Sequence, residues 1–355
     1  MATISVHVIS EHAGDRRTYG CSHIRNLLPL AHPVNRPHIA MSCSFEYAPA
    51  DVVIVERALD PHTDVMEADE LVARTSADGA CLVYTIDDAL LESPSIPPAS
   101  RTIVRTLCRA AAGVIVSTPF LQNRFARLNP RVFVVPNALD ERLFFAGTVD
   151  GAREASGRLV VGFMGTLTHE SDLMLVVQSL RTLLRRNAGT IEFQIVGGVS
   201  EPGWLRVFDG LPVRKLEVPP ESIEYPEFVG WMRRNLSWDI AIAPLADSPL
   251  NHGKSDIKFL DYSALGFPGL YSAVPPYLQT VRQGETGILV GSSPAEWYEA
   301  LETLAKDAAL RRSIAAQSQS YVRSERTLEH CAAAWREALQ AILAAYRASP
   351  RQRTL

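Results

Sequence analysis

No run of about 18 consecutive apolar residues occurs in this chain, so no segment of it reads as a bilayer-spanning helix. Positive charge is not in surplus: 35 Lys and Arg stand against 39 Asp and Glu, for a formal net charge of -4. With no arginine-rich arm and no zinc-finger spacing, a nucleic-acid partner is not expected. Cysteine is sparse, odd in number and scattered: Cys21, Cys43, Cys81, Cys108 and Cys331. That pattern argues against a disulfide framework or a cysteine metal site and for reduced thiols in a cytoplasmic protein. The opening stretch MATISVHVISEHAGDRR lacks a basic start followed by an apolar core, so a secretory leader is not expected. Peripheral contact with the inner face of a membrane stays compatible with all of this. No repeat of about 20–50 residues is apparent. The first strand–loop–helix lacks the G-x-G-x-x-G fingerprint, which leaves a dinucleotide reading without support.

What is present is the material of two ordinary domains. The chain has 355 residues, 47% apolar and 21% charged, against a soft prior of roughly 100–200 residues per domain. Short apolar runs rich in β-branched residues recur: Ile4–Ile9, Asp51–Glu56, Cys81–Thr85, Gly113–Ser117 and Arg131–Val135. Helical patterns lie between them, at Arg101–Ala112 and Pro119–Leu128 among others. After a small, polar stretch ending at Gly157, the rhythm restarts with Arg158–Phe163, Ile191–Val196, Arg214–Val218, Asp239–Pro244, Gly269–Ser272 and Gly287–Val290. Strands alternating with helices predict an α/β chain with mostly parallel sheets covered on both faces. The expected division is residues 1–150, residues 151–330, and a C-terminal amphipathic helix and tail at 331–355 that packs back on the first domain. The linker is expected near 145–157. In open parallel sheets ligands bind beyond the carboxyl ends of the strands, so two Rossmann-like domains facing a central cleft are expected to bind there.

One stretch organises the rest: DIAIAPLADSPLNHGKSDIKFLDYSALGFPGLYS, Asp239–Ser272. It reads as a buried strand, a polar loop, a helix capped by Ser255, a stop at Gly266 and a second strand. At 100° per residue Lys254, Lys258 and Asp261 share a face, beside an apolar stripe of Ile257, Leu260 and Ala264. Two ammonium groups at a helix N-terminus attract an anion, most simply a phosphate. Asp261, further along, is placed to accept from ribose hydroxyls. The plainer alternative is a half-exposed helix with solvated lysines.

These residues resemble a known family. PNALDERLF, Pro136–Phe144, is similar to the PNGVDxxxF signature at the hinge of retaining glycosyltransferases with the GT-B fold. VVGFMGTLTHESDLMLVVQSL resembles the first strand, phosphate loop and helix of their second domain. KSDIKFLDYSALGFPGLYSAVPPYLQTVRQGETGILV resembles their donor-binding segment. The resemblance, to the family 4-like, group 1 type, covers roughly residues 136–345. There are departures. Of the family's Glu-x-x-x-x-x-x-x-Glu pair, the second position falls on Asp261 and the first on Gly253. The phosphate loop carries neither Arg nor Lys, which leaves Lys254 and Lys258 for the diphosphate. Relatives reading KSxxKxLEY, many attributed to bacterial surface-polysaccharide assembly, look most similar.

The resemblance implies transfer of a hexosyl or deoxyhexosyl unit from a nucleoside diphosphate sugar to a glycan or lipid-linked acceptor. Retention is implied, without an enzyme nucleophile, cofactor or obligatory metal. Donor binding is expected from Gly165, Thr166, Gly198, Lys254, Ser255, Lys258 and Asp261, with Lys258 also catalytic. Acceptor binding is expected from His23 and Arg25. Asp87 and Asp88 follow a strand end, where they would orient the acceptor hydroxyl or take its proton. A metal-binding carboxylate pair and a helix cap for the segment at Ala89 are the other readings of this pair. His62 and His169 lie beside strand ends, and lone histidines are more often satisfied polar residues than catalysts. A nucleotide-sugar epimerase or phosphorylase on the same scaffold, or a non-catalytic nucleotide-sugar binder, are the rivals.

Overall fold

Continuous apolar runs such as VVIV and CLVYTI bury both faces of a strand, which only a sheet covered on both sides can accommodate. The computed structural model describes residues 3–12, 16–147, 157–198 and 204–349. Residues 148–156, where most of the expected linker falls, and the tail after 349 lie outside the described residues.

The first sheet contains β1 (Ile4–Ile9), β2 (Ile39–Ser44), β3 (Val52–Glu56), β4 (Cys81–Ile86), β5 (Gly113–Val116) and β6 (Val132–Val134). Their order is β2-β1-β3-β4-β5-β6, and every pairing is parallel. The second sheet contains β7 (Leu159–Gly165), β8 (Ile191–Gly197), β9 (Val213–Leu216), β10 (Ile240–Ala243), β11 (Gly269–Ser272) and β12 (Ile288–Val290). Its order is β12-β11-β10-β7-β8-β9, again parallel throughout. β2 has no counterpart in the sequence reading. It is an edge strand with most of its residues half-buried or exposed, so it lacks the apolar run that marks its neighbours.

The chain forms two units. One contains Met1–Asp140, His252–Ser255 and Thr327–Leu355, and the other Glu141–Asn251 and Asp256–Arg326. In the first, the C-terminal helix Ala333–Ala348 packs back on the sheet, as expected. Trp335, Ala338, Leu339, Ile342 and Leu343 recur at helical spacing and join Val6, Val8, Ile54, Val83 and Ile115 in one core. A Cβ at Gly113 would lie 2.6 Å from Ile342 Cγ1, so glycine at the start of β5 lets the helix approach. A separate short helical turn, Leu328–Cys331, precedes this helix.

The second unit's core joins Val161, Phe163, Phe193, Ile195, Ile240, Ile242 and Leu270 of the sheet to Leu180, Leu183, Leu184, Trp297 and Leu301 of two helices. These helices are Val177–Arg186 and Pro294–Lys306. The latter starts with a capping box between Ser293 and Glu296. Two helices follow β7, Glu170–Met174 and Val177–Arg186. Each unit therefore has its own core and its own row of strand carboxyl ends.

Candidate functional site

In the second unit the functional side chains gather where β7 and β8 end. The sheet delivers Gly165 and Gly197 side by side. Gly197 has φ 59° and Gly198 φ 71°, the left-handed region glycine tolerates. A Cβ on Gly197 would lie 2.4 Å from the Gly165 carbonyl oxygen, and one on Gly198 2.8 Å from Phe163 Cε1. Gly198 thus serves close packing at this turn. Gly165 has His169 Cβ at 3.2 Å from where its own Cβ would be, so the chain folds tightly over the strand end. Thr166 is exposed, and its hydroxyl lies 2.8 Å from that of Thr168.

The next turn and helix carry His169 and Asp172, three residues apart and so on one side. His169 Nδ1 lies 2.8 Å from Asp172 Oδ2. Asp172 Oδ1 accepts from the Ala246 amide at 2.8 Å and Asn251 Nδ2 at 3.1 Å. One carboxylate therefore fastens the loop after β10 to the turn after β7. Burial pushes the Asp172 pKa up, but hydrogen bonds from His169 and the Ala246 amide, with the Lys258 charge nearby, bring it below the ordinary value.

The helix Ile257–Ala264 presents Lys258 and Asp261 from the same side. Lys258 Nζ lies 3.0 Å from His169 Nε2. Asp261 Oδ1 accepts from the Tyr225 hydroxyl at 3.1 Å. Burial pushes the Asp261 pKa up to about 7, against the Tyr225 hydrogen bond and the Lys258 charge. The helix stops as expected: Gly266 has φ 75°, its amide donates to Ser263 O, and the Phe267 amide donates to Tyr262 O.

Its start differs from the sequence reading. The residue preceding the helix is Asp256, which makes no side-chain cap. Ser255 instead accepts a 2.8 Å hydrogen bond from Asn137 Nδ2. Lys254 precedes the helix and so does not share its face with Lys258. Both residues belong to the segment His252–Ser255, which groups with the first unit. A Cβ on Gly253 would lie 2.8 Å from Ala89 Cβ and 3.0 Å from Leu121 Cδ2. Gly253, which the resemblance pairs with the first glutamate of that motif, has no room for a side chain here.

In the first unit, polar groups converge at the carboxyl ends of β1, β3 and β4. Arg57 follows β3 with φ 48°, an uncommon conformation for a side-chain-bearing residue. Its carbonyl is held by the Tyr84 hydroxyl at 2.8 Å and its amide donates to Thr85 O. Its guanidinium lies 3.1 Å from Glu11 and 3.4 Å from each of Asp87 and Asp88. Lys254 reaches Asp88 at 3.5 Å. Asp87 and Asp88 are therefore engaged by cations. Burial pushes the Asp87 and Glu11 pKa values up, with Arg57 opposing in both.

His23 opens a π-helical turn, His23–Leu27, in which Arg25 and Asn26 are buried. Such turns recur at functional positions. Arg25 donates to Asn137 Oδ1 at 2.8 Å and lies over the Trp335 ring. Burial lowers its pKa to about 10. Asn137, from the PNALDERLF stretch, thus links Arg25 to Ser255.

Sequence reasoning singled out neither Arg57, Glu11 nor Glu56. Glu56 Oε2 accepts from the Glu11 amide at 3.0 Å and from Ser22. Burial pushes its pKa up to about 8. In the unfolded chain it returns near 4.5. Between these values the folded state keeps a proton that the unfolded chain has lost. Stability from this group is present at low pH and falls as pH rises, by at most about 1.4 kcal/mol per unit. Glu56→Gln, which cannot ionise, is expected to flatten the decline in urea midpoint between pH 5 and 8. An unaltered slope would contradict this assignment.

Two six-stranded parallel sheets with flanking helices define the GT-B architecture of glycosyltransferases. Residues 158–307, less than half of the chain, match the family model described as Glycosyl transferases group 1. The fold resembles sucrose-phosphate synthase from Thermosynechococcus elongatus, with a TM-score of 0.68 and 12% identity, covering 96% of this chain and 100% of that one. It also resembles HepE of Anabaena, solved with UDP-glucose, with a TM-score of 0.68, 14% identity, and coverage of 95% and 100%. A glycosyltransferase from Rickettsia africae gives 0.65, 10% identity, and coverage of 98% and 100%. At such identities the likeness establishes the fold. No curated protein matches the chain in sequence. Among the described residues no helix is long and apolar enough to cross a membrane.

Proposed function

We propose that this protein transfers a hexosyl or deoxyhexosyl unit from a nucleoside diphosphate sugar to a hydroxyl of a glycan or lipid-linked acceptor, with retention and without a metal. The role proposed is in bacterial surface polysaccharide or glycoconjugate assembly. The observation that carries the reading is the group 1 match over residues 158–307, together with the Lys258–His169 pair beside the end of β7 in that segment. The second unit takes the donor. Lys258 and the first-turn amides of its helix face the diphosphate, and Gly165 and Thr166 allow close backbone approach. Asp261 takes the ribose hydroxyls. The first unit takes the acceptor, with Asp87 and Asp88 orienting the reacting hydroxyl and Arg25 and His23 near it. A departing diphosphate gathers negative charge, so stabilising the leaving oxygen is the main catalytic task. Supply of the nucleotide sugar from the cytoplasm fits the chain's scattered thiols.

A thermal-shift screen against GDP, UDP, dTDP, ADP and CMP sugars tests the donor. At hundredfold excess over Kd, the cognate class stabilises by about 2.7 kcal/mol and raises the melting temperature by several degrees. Analysis of products with that donor then expects a glycoside. An epimerised free sugar or a sugar phosphate would refute transfer. A non-catalytic nucleotide-sugar binder is the second reading, favoured by the absence of Arg and Lys from the loop GTLTHESDL. Donor binding without turnover across an acceptor panel would select it.

A further inference from the structure

We propose that His169 and Asp172 are positioning residues that hold the Lys258 ammonium toward the donor's diphosphate, an inference that rests on the donor reading above. The chemistry of the three groups leaves one arrangement. An ammonium has three donors and no acceptor, and a carboxylate has only acceptors. His169 stands between them, Nδ1 2.8 Å from Asp172 Oδ2 and Nε2 3.0 Å from Lys258 Nζ. Nδ1 therefore carries the proton and Nε2 accepts from Lys258. The opposite tautomer would set an N–H against the ammonium, and a flipped ring would offer it only a C–H.

Asp172 is fit to impose that tautomer because it cannot turn away. Its other oxygen is occupied by the Ala246 amide and by Asn251 Nδ2, and its side chain is only 3% exposed. Lys258 itself is 9% exposed. A lysine side chain is flexible, and one held in place before the ligand arrives loses less freedom on binding. The turn GTLTHESDL supplies no Arg or Lys of its own. In this chain that turn contributes instead the imidazole that aims a lysine from another helix. His169 and Asp172 touch no reacting atom in this proposal and act through Lys258.

The test combines nitrogen-15 NMR of histidine-labelled full-length protein with calorimetric titration of UDP and of inorganic pyrophosphate. Pyrophosphate removes dependence on the base. In the wild type, His169 is expected as the Nδ1–H tautomer. His169→Ala is expected to weaken binding of both probes about tenfold, whereas His169→Gln, which keeps a donor and an acceptor, stays within about threefold. Asp172→Asn offers an N–H toward His169 and is expected to move the proton to Nε2 and lower affinity as in His169→Ala. A structural histidine would lower melting temperature without this tautomer change or the rescue by glutamine. An Nε2–H tautomer in the wild type overturns the proposal. So does wild-type affinity in His169→Ala when Lys258→Ala has lost it. Failure of the wild type to bind either probe overturns the donor reading, and the diphosphate role of His169 with it.

Discussion

Lys258→Ala is expected to lower the rate of sugar transfer roughly a hundredfold, a loss of about 3 kcal/mol of transition-state stabilisation. The expectation follows from where charge develops. Breaking the bond between sugar and diphosphate leaves negative charge on the departing phosphate, and an ammonium screened from water interacts with it more strongly than one in solvent. Lys258 meets that condition, being buried beside His169. Nucleotide affinity is expected to fall as well, but less than kcat, because the charge on the leaving oxygen is larger in the transition state than in the bound donor. The substitution also removes the cation that holds the Asp261 pKa down. Asp261 is then expected to stay protonated to higher pH, moving any kinetic inflection near pH 7 upward. Steady-state kcat and KM with the donor found by thermal shift, followed across pH 6–9, measure both effects. Equal losses in affinity and in kcat/KM with kcat unchanged would make Lys258 a binding residue alone.

The fold was legible because its strands are buried on both faces and therefore written as apolar runs. β3, β4, β5, β10 and β11 are buried along their whole length, and each stands out between polar loops. β2 was not legible, since an edge strand with exposed positions carries no such run. The placement of His252–Ser255 was not legible either. Asp239–Ser272 is continuous in sequence, but the contacts of Gly253 with Ala89 and Leu121 join residues more than a hundred positions apart, and no local pattern encodes them.

The candidate site was legible where one short segment contains it. Lys258 and Asp261 share a helical face by spacing alone. The Arg57 cluster draws on Glu11, Glu56 and Asp87 from three strand ends, and its members meet only once the sheet forms. A signal was nevertheless present: in DVVIVER and CLVYTIDD a charged residue follows directly on a buried run, at the carboxyl end where parallel sheets bind ligands. His169 lies four residues beyond the end of VVGFMG, in the turn after that strand. What the sequence could not supply was its partner, because Lys258 is 89 residues further on.

The second large effect is expected from Arg326→Ala, at about 3–5 kcal/mol of lost stability. Arg326 donates to both oxygens of Asp256, at 2.8 and 3.1 Å, and the Thr280 hydroxyl donates to the same carboxylate at 2.8 Å. The two ionic side chains are 14% and 9% exposed. Burial works against the Arg326 charge, yet the Asp256 carboxylate holds its pKa above the ordinary value. Removing the guanidinium leaves a desolvated carboxylate with one hydroxyl donor, and that unpaired charge is the source of the cost. The double variant Asp256→Ala with Arg326→Ala removes both charges, so it is expected to lose less than the sum of the single variants. Urea midpoints at pH 7 for the four proteins of this cycle measure the coupling. Because the pair is buried, raising the salt concentration is expected to alter it little. A cost for Arg326→Ala under about 1 kcal/mol, or one abolished by salt, would make this an ordinary surface pair. The outcome bears on function because Asp256 immediately precedes the helix that carries Lys258 and Asp261. A clamp there fixes the first turn from which Lys258 projects, so the single variant is expected to weaken nucleotide binding even where it remains folded.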